Sequence, residues 1–176
     1  MAILSEGRLL FSFDPSYHAE KYDEWSFYRK QFQSTCGGAK AVDIICLSDN
    51  TCWLIEVKDY RQYKRTKPQC LGDEIAVKIR DTLSGLVAAK MNAKNDSERN
   101  FSKKSLNCHI MKVVLHLGQP QKKSKLRPCA IDPAAVKQSL KRLLSAIDTH
   151  PKVVDKANLH PNMGWTITDK EQISAK

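Results

Sequence analysis

Two apolar runs, AVDIICL over residues 41–47 and CWLIEV over residues 52–57, flank the polar stretch Ser48-Asp49-Asn50-Thr51, and little else in the chain narrows the fold as much. A turn sequence between two β-rich runs predicts a β-hairpin. Both runs are apolar at alternate and intervening positions alike, so both strands are expected to be central and buried on both faces. Two carboxylates interrupt them. With the turn at Asp49-Asn50, Asp43 is expected directly across from Glu56. Opposed side chains share a face, with Cβ atoms roughly 4.5–5.5 Å apart. Carboxylates that close repel, and one pKa should rise. A divalent cation between them would remove the conflict, and hard oxygen ligands suit Mg²⁺ or Mn²⁺. Lys58, two residues past Glu56, projects from the same face, while Val57 points into the core. Such a set suits phosphodiester chemistry: a metal polarises a phosphate and activates water, and a lysine steadies developing charge.

Asp43, twelve intervening residues and then Glu56-Val57-Lys58 resembles the D…(D/E)-x-K signature of the PD-(D/E)XK (restriction-endonuclease-like) nuclease superfamily. The resemblance covers about residues 17–117. It implies an α/β/α sandwich with a central mixed β-sheet and a restriction-endonuclease-like core. It further implies that Asp43 and Glu56 ligate the metal, that Val57 offers its backbone carbonyl, and that Lys58 is the catalytic lysine. Members often carry another acid on the first helix. Glu20 and Glu24 are the candidates here, with Glu24 preferred for its place beside the aromatic stripe.

The remaining pattern is helical around this hairpin. GRLLFSF (7–13) is expected as a short strand. Asp14-Pro15-Ser16 is a helix-start signal. The spacing of Tyr22, Trp25, Tyr28 and Phe32 predicts a helix from about Tyr17 to Phe32, ended by Gly37-Gly38. A second helix is expected over 74–91, with Ile75, Ile79, Leu83, Leu86 and Val87 as its core stripe. Residues 92–107 are polar and aperiodic and read as a long mobile loop. HIMKVVLHL (109–117) reads as a buried strand and residues 119–128 as a basic loop. Pro133 to Ile147 reads as a helix capped by Asp132, with Val136, Leu140, Leu143, Leu144 and Ile147 inward. Residues 152–159 and 165–168 are expected as short edge strands. One domain, 1–168, is expected, with a frayed tail over 169–176.

A net charge of +10 points to a polyanionic partner. The excess is uneven: Lys90 to Pro128 holds ten Lys or Arg against Asp96 and Glu98, and KDYRQYKRTK runs from Lys58 to Lys67. Arg61, Lys64, Arg65 and Lys67 form a candidate phosphate-contacting strip, with Tyr60 and Tyr63 placed to stack on bases. Lys122, Lys123, Lys125 and Arg127 form a second basic group. No run approaches the roughly 20 apolar residues of a membrane span. Glu6 and Arg8 fall where a signal peptide needs an unbroken apolar run, so an intracellular, cytoplasmic protein is expected. The six cysteines show no C-x-x-C pair, and reduced structural thiols are expected.

The leading expectation is a Mg²⁺-dependent endonuclease acting on DNA rather than RNA, in repair, restriction or phage defence. Target choice would come from loops, a homodimer or a partner protein. The alternative is a non-catalytic subunit of the same fold, used for DNA binding or assembly within a larger complex. A third is a plain basic protein-interaction domain, with neither metal binding nor salt-dependent affinity for DNA.

Overall fold

In the computed structural model the described residues are 1–63, 65–120 and 131–170. The hairpin forms as its sequence requires. Strand β4 (Ile44–Ser48) pairs antiparallel with β5 (Thr51–Asp59), Ile44 opposite Ile55 and Ser48 opposite Thr51. Every residue of β4 is buried. Asp49 takes a positive φ of 46° at the turn, a conformation that Asp tolerates.

Around the hairpin lies a five-stranded mixed sheet in the order β3-β4-β5-β6-β7. Strand β3 (His18–Lys21) runs antiparallel to β4, while β6 (Ile110–Gly118) and β7 (Lys152–Val154) continue parallel from β5. The helices α1 (Leu71–Asn92), α2 (Asp96–Asn107) and α3 (Pro133–Leu143) cover one face. Ile45, Leu47, Cys52, Leu54, Val113 and Leu115 meet them there. A three-stranded antiparallel sheet, β1 (Ala2–Glu6), β2 (Leu9–Phe13) and β8 (Trp165–Asp169), covers the other face. Ile44, Cys46, Trp53, Ile55 and Val57 pack on Phe11, Phe13, Trp165 and Ile167 of that second sheet. Alternation along β4 and β5 thus feeds two cores at once. The chain is α/β with a mixed sheet. Among the described residues the helices lie on one face, so the expected α/β/α layering is corrected to helices, sheet and second sheet.

Other corrections have local causes. The helix expected over residues 17–32 gives way to β3, a 3₁₀ turn (Tyr22–Glu24) and a π-type turn (Tyr28–Phe32). Pairing with β4 satisfies the backbone of His18–Lys21, and the aromatics pack in a cluster rather than along one helical face: Tyr22 and Trp25 meet edge-to-face at 5.0 Å. Residues 96–107, expected as a loop, form α2. Asn95 caps it by accepting from Ser97 N, and its buried stripe is Glu98, Phe101, Ser102 and Ser105. The two serine hydroxyls donate to carbonyls four residues back, and the Glu98 carboxylate accepts from Ser26 N and Phe27 N, so polar side chains are buried at no unpaired cost. Val87 and Leu143, expected to face inward, are 54% and 41% exposed. Asp132 does cap α3, accepting from Ala134 N, but the regular helix ends at Leu143. The group Lys122, Lys123, Lys125 and Arg127 lies outside the described residues, as does the tail from residue 171. Among the described residues, the cysteines are free, with Cys46 and Cys52 buried.

Candidate functional site

Asp43 stands just before β4 and Glu56 lies within β5, and the hairpin brings both to the helical side. Asp43 is 9% exposed and Glu56 fully buried. Asp43 Oδ2 accepts from the Val57 N–H at 2.6 Å, which pins the aspartate to the neighbouring strand. Val57 therefore contributes its amide to this centre, and its side chain points into the second core as expected.

The charge conflict is resolved by a residue the sequence pattern did not single out. Lys78 Nζ lies 2.5 Å from Glu56 Oε1 and 3.7 Å from Asp43 Oδ1. Lys58 Nζ lies 2.8 Å from the same Glu56 oxygen and 3.3 Å from Glu74 Oε1. Glu74 and Lys78, one turn apart on α1, thus both reach the hairpin. An ammonium group bridges the two acids between which a Mg²⁺ or Mn²⁺ is expected, and Asp43 still acts on Glu56. Glu56 Oε2 remains buried without a hydrogen-bond partner among the described residues. Burial, reinforced by Asp43, pushes the Glu56 carboxyl up to about 7 against the pull of Lys78 and Lys58. Glu74 is also buried, yet Arg65, Lys67 and Lys58 outweigh that and hold it down at about 2. Lys58 is held above its ordinary value, its carboxylate partners outweighing its own burial. Together these groups form a compact, internally neutralised network.

The basic strip after β5 joins this network. Arg65 Nη1 donates to Glu74 Oε2 at 2.6 Å and to Tyr60 Oη at 3.3 Å, and Lys67 Nζ lies 3.1 Å from Glu74 Oε1. Arg61 turns to the other side of the sheet and bonds Asp59 and Asp169. Tyr60 packs partly buried against the helical core, whereas Tyr63 is 73% exposed. Lys64 lies outside the described residues. Arg61, Arg65 and Lys67 are thus engaged by the chain's own carboxylates.

Glu24 is exposed and bonded by Lys21 at 3.0 Å, which lowers its pKa. Glu20 lies on β3, opposite Ile45. With the 17–32 helix absent, these two acids do not share a helical face. The acids beside Asp43 are instead Glu6 from β1 and Asp23, with oxygens of all three within 4.8 Å of one another. Lys21 Nζ, 2.7 Å from Glu6 Oε2, offsets them, and burial raises Asp23 to about 6. The sequence signal for Lys78 was present: it interrupts the apolar face between Ile75 and Ile79. Glu6 and Asp23 carried no local signal, because a second sheet brings Glu6 there.

No helix among the described residues is long and apolar enough to cross a membrane. No known family matches the chain, and no solved structure matches it. Over 163 residues it is 38% identical to the cysteine--tRNA ligase of Neisseria meningitidis serogroup A / serotype 4A. The alignment takes in 75% of this chain, which spans only 23% of that ligase. This relationship overturns the resemblance to the PD-(D/E)XK superfamily. With it fall the assignment as a Mg²⁺-dependent DNA endonuclease and the alternative of a DNA-binding subunit of that fold. What this chain is similar to is a part of a tRNA ligase.

Proposed function

We propose that this chain is an RNA-binding domain that contacts tRNA. The observation that carries the reading is its 38% identity to a protein named for its action on tRNA. The charge distribution supports it. Lys90, Lys94, Lys103 and Lys104, at the end of α1, in the α1–α2 connection and in α2, are exposed and without ion-pair partners among the described residues. Exposed unpaired cations are what phosphate contacts use, and an exposed aromatic such as Tyr63 can stack on an unpaired base. The internally paired network around Glu56 then serves as a rigid support for this surface.

The test is fluorescence anisotropy with labelled tRNA against duplex DNA of equal charge. Binding should weaken linearly in log K against log salt, with a slope of about −0.7 to −0.9 per phosphate contacted. The double variant K103E/K104E should reduce both affinity and slope. Absence of tRNA binding at low salt, or equal affinity for the duplex DNA, overturns the reading.

A further inference from the structure

The C-terminal ends of β5, β6 and β7 leave the main sheet side by side, Val57 paired with His116 and His116 with Val154. Just outside the carboxyl ends of parallel strands is where open α/β sheets commonly receive ligands. A cleft of about 620 Å³ opens there, between the two sheets and on the opposite side of β5 from Glu56 and Lys58. Leu9, Pro120 and Ala157 line it together with His116 and several charged groups. Its size is that of a small-molecule site.

The charged groups of the cleft already have partners. Arg61 holds Asp59 and Asp169, Lys156 Nζ lies 2.8 Å from Asp169 Oδ2, and Asp155 accepts from Ala157 N and Asn158 N. His116 differs from them. It is 2% exposed, and its Nδ1 has no hydrogen-bond partner among the described residues. Phe11 meets its ring edge-on at 5.7 Å. Burial keeps the ring neutral by lowering its pKa to about 4. A neutral imidazole nitrogen either donates or accepts, and leaving the buried Nδ1 unused costs free energy that a ligand recovers. With the charges balanced internally and Leu9 and Pro120 apolar, the complementary ligand is uncharged, flat and edged with donors and acceptors.

We propose that this cleft receives an unpaired nucleobase of bound RNA, hydrogen-bonded to the His116 ring and packed against Leu9 and Pro120. The ligand class rests on the RNA reading above; the cleft and its unpaired histidine do not.

The experiment follows the His116 ring nitrogens and the Gly118 and Asp155 amides by ¹⁵N NMR on the full chain. Adenosine, cytidine, guanosine and uridine are titrated separately, with free cysteine as a zwitterionic control. At least one nucleoside should shift these signals saturably. The affinity should fall by about tenfold or more in H116F, and likewise in A157W, which fills the cleft from an exposed position. Unmoved signals at millimolar nucleoside, an undiminished response in both variants, or a response to cysteine alone overturn the proposal. Parallel tRNA binding separates the two readings. If tRNA binds and nucleosides leave His116 unmoved, only the cleft proposal fails. If nucleosides bind and tRNA does not, the RNA reading fails and with it RNA as the source of the base, while the cleft remains a nucleobase site.

Discussion

The Lys78 ammonium lies 2.5 Å from Glu56 Oε1 although 22 residues separate the two, so α1 supplies the positive charge that the hairpin lacks. Above pH about 7, where Glu56 is ionised, Lys78→Met leaves a fully buried carboxylate leaning on Lys58 alone. Removing one partner of a buried pair is strongly destabilising, and a loss of about 3 kcal/mol is expected by urea denaturation. Adding Glu56→Gln should recover much of it by removing the stranded charge. A single variant within about 0.5 kcal/mol of wild type, the usual range for a surface change, would show that Lys78 does not hold this pair.

The pH dependence has two opposed components that single variants separate. Glu56 is raised from its ordinary 4.5 to about 7, so the folded state holds its proton longer than the unfolded chain. The stability it contributes is complete below about 4.5 and is lost as pH rises through about 7. His116 is lowered from 6.5 to about 4, so its contribution is complete above about 6.5 and lost as pH falls toward 4. Wild type minus Glu56→Gln should therefore slope downward across that window, and wild type minus His116→Phe upward. Chemical denaturation at several pH values reads both signs, and two difference curves of the same sign would contradict the environments described.

Glu98 ties α2 to the segment that opens the π-type turn, accepting from Ser26 N at 2.8 Å and Phe27 N at 3.0 Å. Glu98→Ala abandons two backbone donors, one of them buried, and should cost about 2 kcal/mol. Amide exchange at Ser26 and Phe27 should accelerate more than exchange in β4. Uniform acceleration across the domain would instead mean that the contact is not local.

Gly85 faces Tyr22 across the helical core. A methyl there would overlap the Tyr22 hydroxyl and crowd the Phe32 ring, whose Cε1 would lie 3.0 Å away. Gly85→Ala should thus destabilise by about 1–3 kcal/mol through overpacking, despite the better helix propensity of alanine. The Tyr22 hydroxyl is buried without a hydrogen-bond partner among the described residues, so Tyr22→Phe alone should be close to neutral. The double variant should regain part of the loss in thermal melts, and strict additivity would count against the clash.

The hairpin's pairing was legible to the residue, although its first strand begins at Ile44 rather than at residue 41 and its second runs on to Asp59. Its register follows from turn chemistry and two apolar runs, both local, and Asp43 and Glu56 share a side as the pattern demanded. The cap of α3 was equally local. The failures were of another kind. Residues 18–21 satisfy their backbone through pairing with β4, and that partner lies more than 20 residues away. Helix α2 buries serines and a glutamate, so no apolar periodicity marks it. The two facing acids can have a second kind of partner besides a divalent ion. A lysine arriving from a helix also offsets them, and its place is set by tertiary packing rather than by the hairpin's own sequence. Lys78 stands beside Ile75 and Ile79, at the edge of that helix's apolar stripe. The second sheet, made from both ends of the chain, had no local signature, and it alone brings Glu6 beside Asp43.

Strands β4 and β5 are walled on both sides, Ile45 and Leu54 by the helices and Ile44 and Ile55 by the second sheet. They are a party wall between two rooms, and neither room can be emptied without exposing the other. Damage to the helical half therefore loosens the β1-β2-β8 half as well, and the domain melts as one unit rather than shedding a layer.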